Sequence, residues 1–98
     1  MDAQRWNRLS LAEQMGHVTS EIARARVWEQ KGDAESRGQA ICRALDLIAL
    51  SLEQPGGRAI RLREWTRLRE VLSDCFLKTG IYDVTLSDLE RYGLQFIC

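Results

Sequence analysis

The stretch ICRALDLIALSLEQPGG, Ile41 to Gly57, decides the fold. At about 100° per residue, Ile41, Ala44, Leu45, Ile48 and Leu52 fall on one side, as an amphipathic helix requires, and the alternation of a half-buried strand is missing. Pro55, the single proline of the chain, and the two glycines after it then stop the helix and turn the backbone. Ala40, Leu47 and Leu50 widen the apolar arc beyond the main stripe. A helix with so broad an apolar surface is either central in its domain or covered by a partner.

Outward from this segment the same periodicity recurs. Ser10 and Glu13 have capping-box spacing, so the preceding long helix starts near Leu11 and stops at Gly32, after Lys31. Asp33 suits the N-cap of the Ile41-containing helix. A third helix is predicted over about Ile60 to Lys78, ending at Gly80. Thr85 caps a short fourth helix, with Val84 and Leu89 at hydrophobic-staple spacing and docking through Leu89, Tyr92 and Phe96. Short connections favour antiparallel neighbours. The expected fold is all-α, a single domain over 1–98: an up-and-down antiparallel helical bundle of three long helices plus one short C-terminal helix. Residues 1–9, with Trp6, are either a flexible lead or a cover over one bundle end.

Composition narrows the function. In 98 residues with 45% hydrophobic content there is room for one core. Fourteen Lys and Arg balance fourteen Asp and Glu, so no global field gathers polyanions or anionic lipid. The apolar run LIALSL, Leu47 to Leu52, is far shorter than the roughly 20 residues of a membrane span, and the polar start MDAQRWNR does not read as a signal peptide. No membrane association and a cytoplasmic location are expected. Cys42, Cys75 and Cys98 form an odd set without a C-x-x-C pair, read as reduced thiols, two in the core and one at the end of the sequence. With His17 they are scattered too widely for a zinc site, so neither metal nor cofactor is expected.

The basic segment RAIRLREWTRLRE, Arg58 to Glu70, invites a nucleic-acid reading. Its phase argues otherwise. Leu62, Trp65, Leu68, Leu72, Cys75 and Phe76 share one side, which places Trp65 in the core rather than on a base-stacking platform. Arg63 and Arg67 point away from that stripe, Arg58, Arg61 and Arg69 flank it, and Glu64 and Glu70 interrupt the charge, so nucleic acid is not the expected partner. A guanidinium beside an apolar stripe has to pair or reach water. Inter-helix ion pairs are therefore predicted for Arg61 or Arg69, with Asp46, Glu53 and Glu21 as the acids.

On the first long helix, His17, Glu21, Arg24 and Trp28 follow one another at spacings of four, three and four, which aligns them. This is the best polar site in the sequence. A His four residues before a Glu can serve acid–base chemistry, but the same spacing also makes an ordinary surface pair, and no nucleophile or phosphate loop completes a catalytic set. Another edge of that helix carries Ala12, Gly16, Thr19 and Ala23, small residues that admit close approach of a second backbone. With Leu47 and Leu50 they form the expected interface of a homodimer.

The phrases SLAEQ (Ser10 to Gln14), VWEQKGD (Val27 to Asp33), RALDLIALSLE (Arg43 to Glu53) and RLREVLSDCF (Arg67 to Phe76) resemble a family of small, uncharacterised prokaryotic helical-bundle proteins. In outline the chain also resembles the HEPN group of helical bundles, which includes ribonucleases and partners of nucleotidyltransferases. Catalytic HEPN proteins place an Arg four to six intervening residues before a His. Upstream of His17 those positions hold Ala12, Leu11 and Ser10. The expected function is a non-catalytic protein-interaction module acting as a homo-oligomer, with a further protein partner unidentified; the alternative is a HEPN-like RNA-processing enzyme or nucleotidyltransferase partner.

Overall fold

Capping chemistry sets where the helices begin. Asp2, Ser10, Asp33 and Thr85 each accept a hydrogen bond from the backbone N–H three residues on, satisfying a donor that the first helical turn leaves open. Ser10 with Glu13 and Thr85 with Asp88 close reciprocal capping boxes. In the computed structural model, which describes residues 2–53, 59–78 and 84–96 without the side chains of 59–61, the helices are α1 (Ala3–Arg8), α2 (Leu11–Gln30), α3 (Ala34–Leu52), α4 (Ala59–Leu77) and α5 (Leu86–Leu94). No strand occurs among the described residues. The Gln54–Gly57 turn, the stop at Gly80 and the final Ile97 and Cys98 lie outside them.

Among the described residues five helices stand where four were expected, because the segment before Ser10 is itself helical. Trp6 explains why so short a helix holds. Its side chain is entirely buried, its indole Nε1 donates to Ser51 Oγ at 2.8 Å, and its backbone carbonyl accepts from Gln14 Nε2 at 2.8 Å. Burying the 150–250 Å² of a tryptophan contributes about 4–6 kcal/mol at the usual area coefficient. The segment is thus a cover seated on α3.

Gly32, at φ 76°, ends α2 in the left-handed conformation that costs a glycine little. The chain then reverses into α3. Glu21 pairs with Arg43 and Glu29 with Arg37, so α2 and α3 run antiparallel. Their facing stripes, Met15, Val18, Ile22 and Ala25 against Ala40, Ile41, Ala44 and Ile48, make half of the core; Trp6 of α1, Trp65, Leu68, Val71, Leu72 and Cys75 of α4 and Leu86 and Leu89 of α5 make the other half. Helix α3 touches α1, α2 and α4. Its broad apolar arc therefore matches a central position, with Leu45, Leu47, Leu50 and Leu52 half-buried along its flanks.

Two residues depart from their predicted places. Cys42 is exposed, because it lies nearly opposite the Ile41–Ala44–Ile48 stripe. Phe76, assigned to the α4 stripe, is 39% exposed and lies against Gly38 of α3 at the outer end of the bundle. Just beyond it, Lys78 leaves the helix at φ 56°. A left-handed conformation costs a residue with a Cβ roughly 1–2 kcal/mol relative to its relaxed state.

Helix α5, at nine residues, is too short to be stable by itself and docks on α2. The approach is close at Gly93, where an added Cβ would lie 3.1 Å from Thr19 Cβ and 3.2 Å from its Cγ2. Arg26 Nε donates to Glu90 Oε2 at 2.7 Å and ties the same two helices together.

Candidate functional site

The α2 row separates into three unrelated contacts. Glu21 is buried and held between two guanidinium groups, with Arg24 Nη1 donating at 2.5 Å and Arg43 Nε at 2.8 Å. His17 is exposed, and its ring lies on Trp6 with centroids 5.8 Å apart and planes inclined by 52°. Trp28 is half-buried beneath Lys31, whose Nζ stands 5.0 Å from the ring centroid. A His17–Glu21 proton relay therefore has no geometry here. The i, i+4 spacing permits such a pair, but the indole and the two arginines provide stronger partners.

The small-residue edge is partly filled from within the chain. Thr19 is buried against Gly93 of α5, and its Oγ1 has no hydrogen-bond partner. Ala12, Gly16 and Ala23 are half-buried, as are Leu47 and Leu50. Of the arginines predicted to bridge helices, the Arg61 side chain lies outside the described residues. Arg69 is exposed, as are Asp46 and Glu53, and no ion pair joins them among the described residues. The inter-helix pairs form elsewhere: Arg43–Glu21 and Arg37–Glu29 between α2 and α3, and Arg26–Glu90 between α2 and α5.

Arg37 marks a site that spacing alone did not single out. Four elements meet around a cleft of about 340 Å³: the end of α2 with Glu29, the start of α3 with Arg37, the end of α4 with Asp74, Cys75 and Lys78, and the segment Val84, Thr85 and Leu86 that opens α5. Arg37 and Asp74 are both buried, an expensive position for charge without a partner. Arg37 Nε donates to Glu29 Oε2 at 2.6 Å, and Nη2 donates to the Cys75 carbonyl at 2.8 Å. That carbonyl belongs to the last turn of α4, where intrahelical donors run out, so the guanidinium caps a helix end. The signal was available: Arg37 lies four residues before Ile41, squarely on the apolar stripe of α3.

Cys75 Sγ donates to the Val84 carbonyl at 3.1 Å and fastens the end of α4 to the approach to α5. Burial, followed by the neighbouring Asp74 charge, pushes its thiol above the ordinary cysteine value. The thiolate is disfavoured there, so this cysteine acts as a small packing residue with a donor. Beside the cleft and sharing Val84 with it, a second groove of about 220 Å³ is lined by Arg67, Leu68, Val71 and Leu89, and Tyr92 at its side donates to the Glu64 carboxylate.

Among the described residues no group of three or more His, Cys, Asp or Glu is arranged to hold a metal ion, and no helix is long and apolar enough to cross a membrane. No family model matches the chain, and no curated protein or solved structure matches it either.

Proposed function

We propose that this chain is a non-catalytic helical interaction module that works as a homodimer in the prokaryotic cytoplasm, its helices arranged as an up-and-down antiparallel bundle. The observation that carries this reading is apolar surface left in water. Leu77 is 65% exposed, Leu94 44%, Phe76 39% and Val27 37%. Phe76 and Leu77 are consecutive and close the outer end of α4 beside Gly38, the kind of exposed apolar pair that association removes from water. A non-catalytic role is also supported by the row His17, Glu21, Arg24 and Trp28, whose members serve separate structural contacts.

The contact surface suggested by sequence, Ala12, Gly16, Thr19, Ala23, Leu47 and Leu50, is less available than its composition implies. Thr19 is closed off by α5, and the other five are half-buried. Phe76 and Leu77 take its place as the leading contact. Native mass spectrometry and sedimentation velocity of the full chain test the proposal. The expected result is a dimer that the double substitution Phe76→Asp and Leu77→Asp converts to a folded monomer. A wild-type monomer at every concentration overturns it. A dimer broken by Ala23→Arg or Leu47→Asp, and not by the α4 change, returns the interface to the first two long helices. In the RNA-processing alternative, His17→Ala abolishes an RNA-directed activity; in the present reading it alters only the contact with Trp6.

A further inference from the structure

We infer that the cleft between the ends of α2 and α4 and the starts of α3 and α5 binds a small zwitterion, a free α-amino acid with an aliphatic side chain. Its volume of about 340 Å³ falls at the lower end of the roughly 300–1,000 Å³ typical of small-molecule sites. The inference rests first on Arg37. Its side chain is only 9% exposed, and it donates through Nε to Glu29 and through Nη2 to the Cys75 carbonyl. Among the described residues nothing accepts from Nη1. A buried guanidinium on a cleft wall with donors remaining is a preformed clasp for a carboxylate.

Lys78 provides the second observation. Its backbone stands at φ 56°, where glycine would be relaxed, yet a lysine occupies the position and lines the cleft. A left-handed residue is a common helix stop, so it is charge that points to a ligand: a lysine lining the cleft beside a buried arginine favours a ligand carrying negative charge.

Charge balance selects the class of ligand. Arg37 and Lys78 face Glu29 and Asp74, two cations against two anions, so the cleft attracts neither a simple anion nor a simple cation strongly. A molecule that brings both charges answers both pairs. Its carboxylate fits Arg37 Nη1 and Lys78 Nζ. Its ammonium fits Asp74, whose carboxylate oxygens accept several hydrogen bonds and so serve a ligand alongside existing contacts. Val84 and Leu86 supply an apolar wall for the side chain.

The test is a ¹H–¹⁵N NMR titration of the full chain with L-leucine, with acetate and with propylamine as separate probes. Leucine is expected to bind with a Kd of about 1 mM or tighter, shifting the amides of Lys78, Thr85 and Leu86 and the Arg37 Nε–H; acetate and propylamine bind at least about tenfold more weakly. Lys78→Gly is the decisive variant, because glycine suits the left-handed backbone and the fold survives. It is expected to weaken leucine binding about tenfold, the worth of one charge-assisted hydrogen bond. Arg37→Lys, which keeps the charge and loses the fork, weakens it further if that variant folds. No saturable shift at the cleft, equal affinity for acetate and leucine, or wild-type affinity in Lys78→Gly each overturns the inference.

Discussion

Substituting Gly93 by alanine tests the packing of α5 on α2. In an exposed helix this change stabilises by about 1 kcal/mol, since alanine loses less backbone freedom than glycine. Here the new Cβ would fall inside contact distance of Thr19 Oγ1, with Thr19 Cβ at 3.1 Å and Cγ2 at 3.2 Å. Rotating Thr19 about χ1 moves Oγ1 and Cγ2 but not Cβ, and its β-branch leaves few rotamers. Helix α5 must shift outward. Overpacking of this kind costs about 1–3 kcal/mol, which matches or exceeds the propensity gain and leaves a net loss of up to about 2 kcal/mol. Thr19→Ala removes a hydroxyl that has no partner, so its cost should lie within about 0.5 kcal/mol of zero: relief of an unsatisfied polar group offsets the lost methyl. The double variant should then recover the part of the loss due to Oγ1 and Cγ2, leaving only the smaller strain of the Cβ contact at 3.1 Å. Urea unfolding followed by far-ultraviolet circular dichroism measures all four corners of the cycle. If Gly93→Ala stabilises the protein, or Thr19→Ala brings no relief, the two helices do not meet as described.

Five other outcomes are expected. Ser51→Ala should destabilise by about 1–3 kcal/mol in the same assay, because it strands the buried indole N–H of Trp6, and Trp6→Ala by about 3–5 kcal/mol. Glu13, Asp33 and Asp88 are held below the ordinary carboxylate range by backbone hydrogen bonds at helix starts. Groups depressed in the folded state stabilise fully above their unfolded pKa values and cease to do so as pH falls through the folded ones. The protein should therefore weaken as pH falls below about 4, and replacing the three by Gln or Asn should flatten that limb of a stability-versus-pH titration. Glu21→Gln should cost no more than about 1 kcal/mol and less in high salt, since its partners Arg24 and Arg43 are 61% and 51% exposed. Lys78→Gly should raise the thermal midpoint, corresponding to about 1 kcal/mol, by relaxing the left-handed backbone.

Much of the helical layout was legible because caps and stripes are local. Ser10, Asp33 and Thr85 announce helix starts through side chains acting three residues away, and Gly32 announces a stop through its own φ. Trp6 was harder to place. A six-residue helix has almost no periodicity, and its burial depends on Ser51, 45 positions away. The residues lining the cleft share this difficulty, since Glu29, Arg37, Asp74 and Lys78 come together only when the helix ends meet. Arg37 alone left a trace, as a charge in phase with Ile41 and Ile48. The reverse error arose at His17 and Glu21: correct spacing implied a pair, while Trp6, Arg24 and Arg43 took the two side chains apart.

The tie between Arg26 and Glu90 spans 64 positions, with a temporal consequence. During synthesis at about 5–20 residues per second, α2 emerges roughly 3–13 s before the helix that closes over Thr19. The antiparallel α2–α3 hairpin is local and forms well within that interval. For those seconds the nascent chain is a hairpin with an open seam, and whatever apolar surface lies nearby, a chaperone or a neighbouring nascent chain, competes with α5 for it.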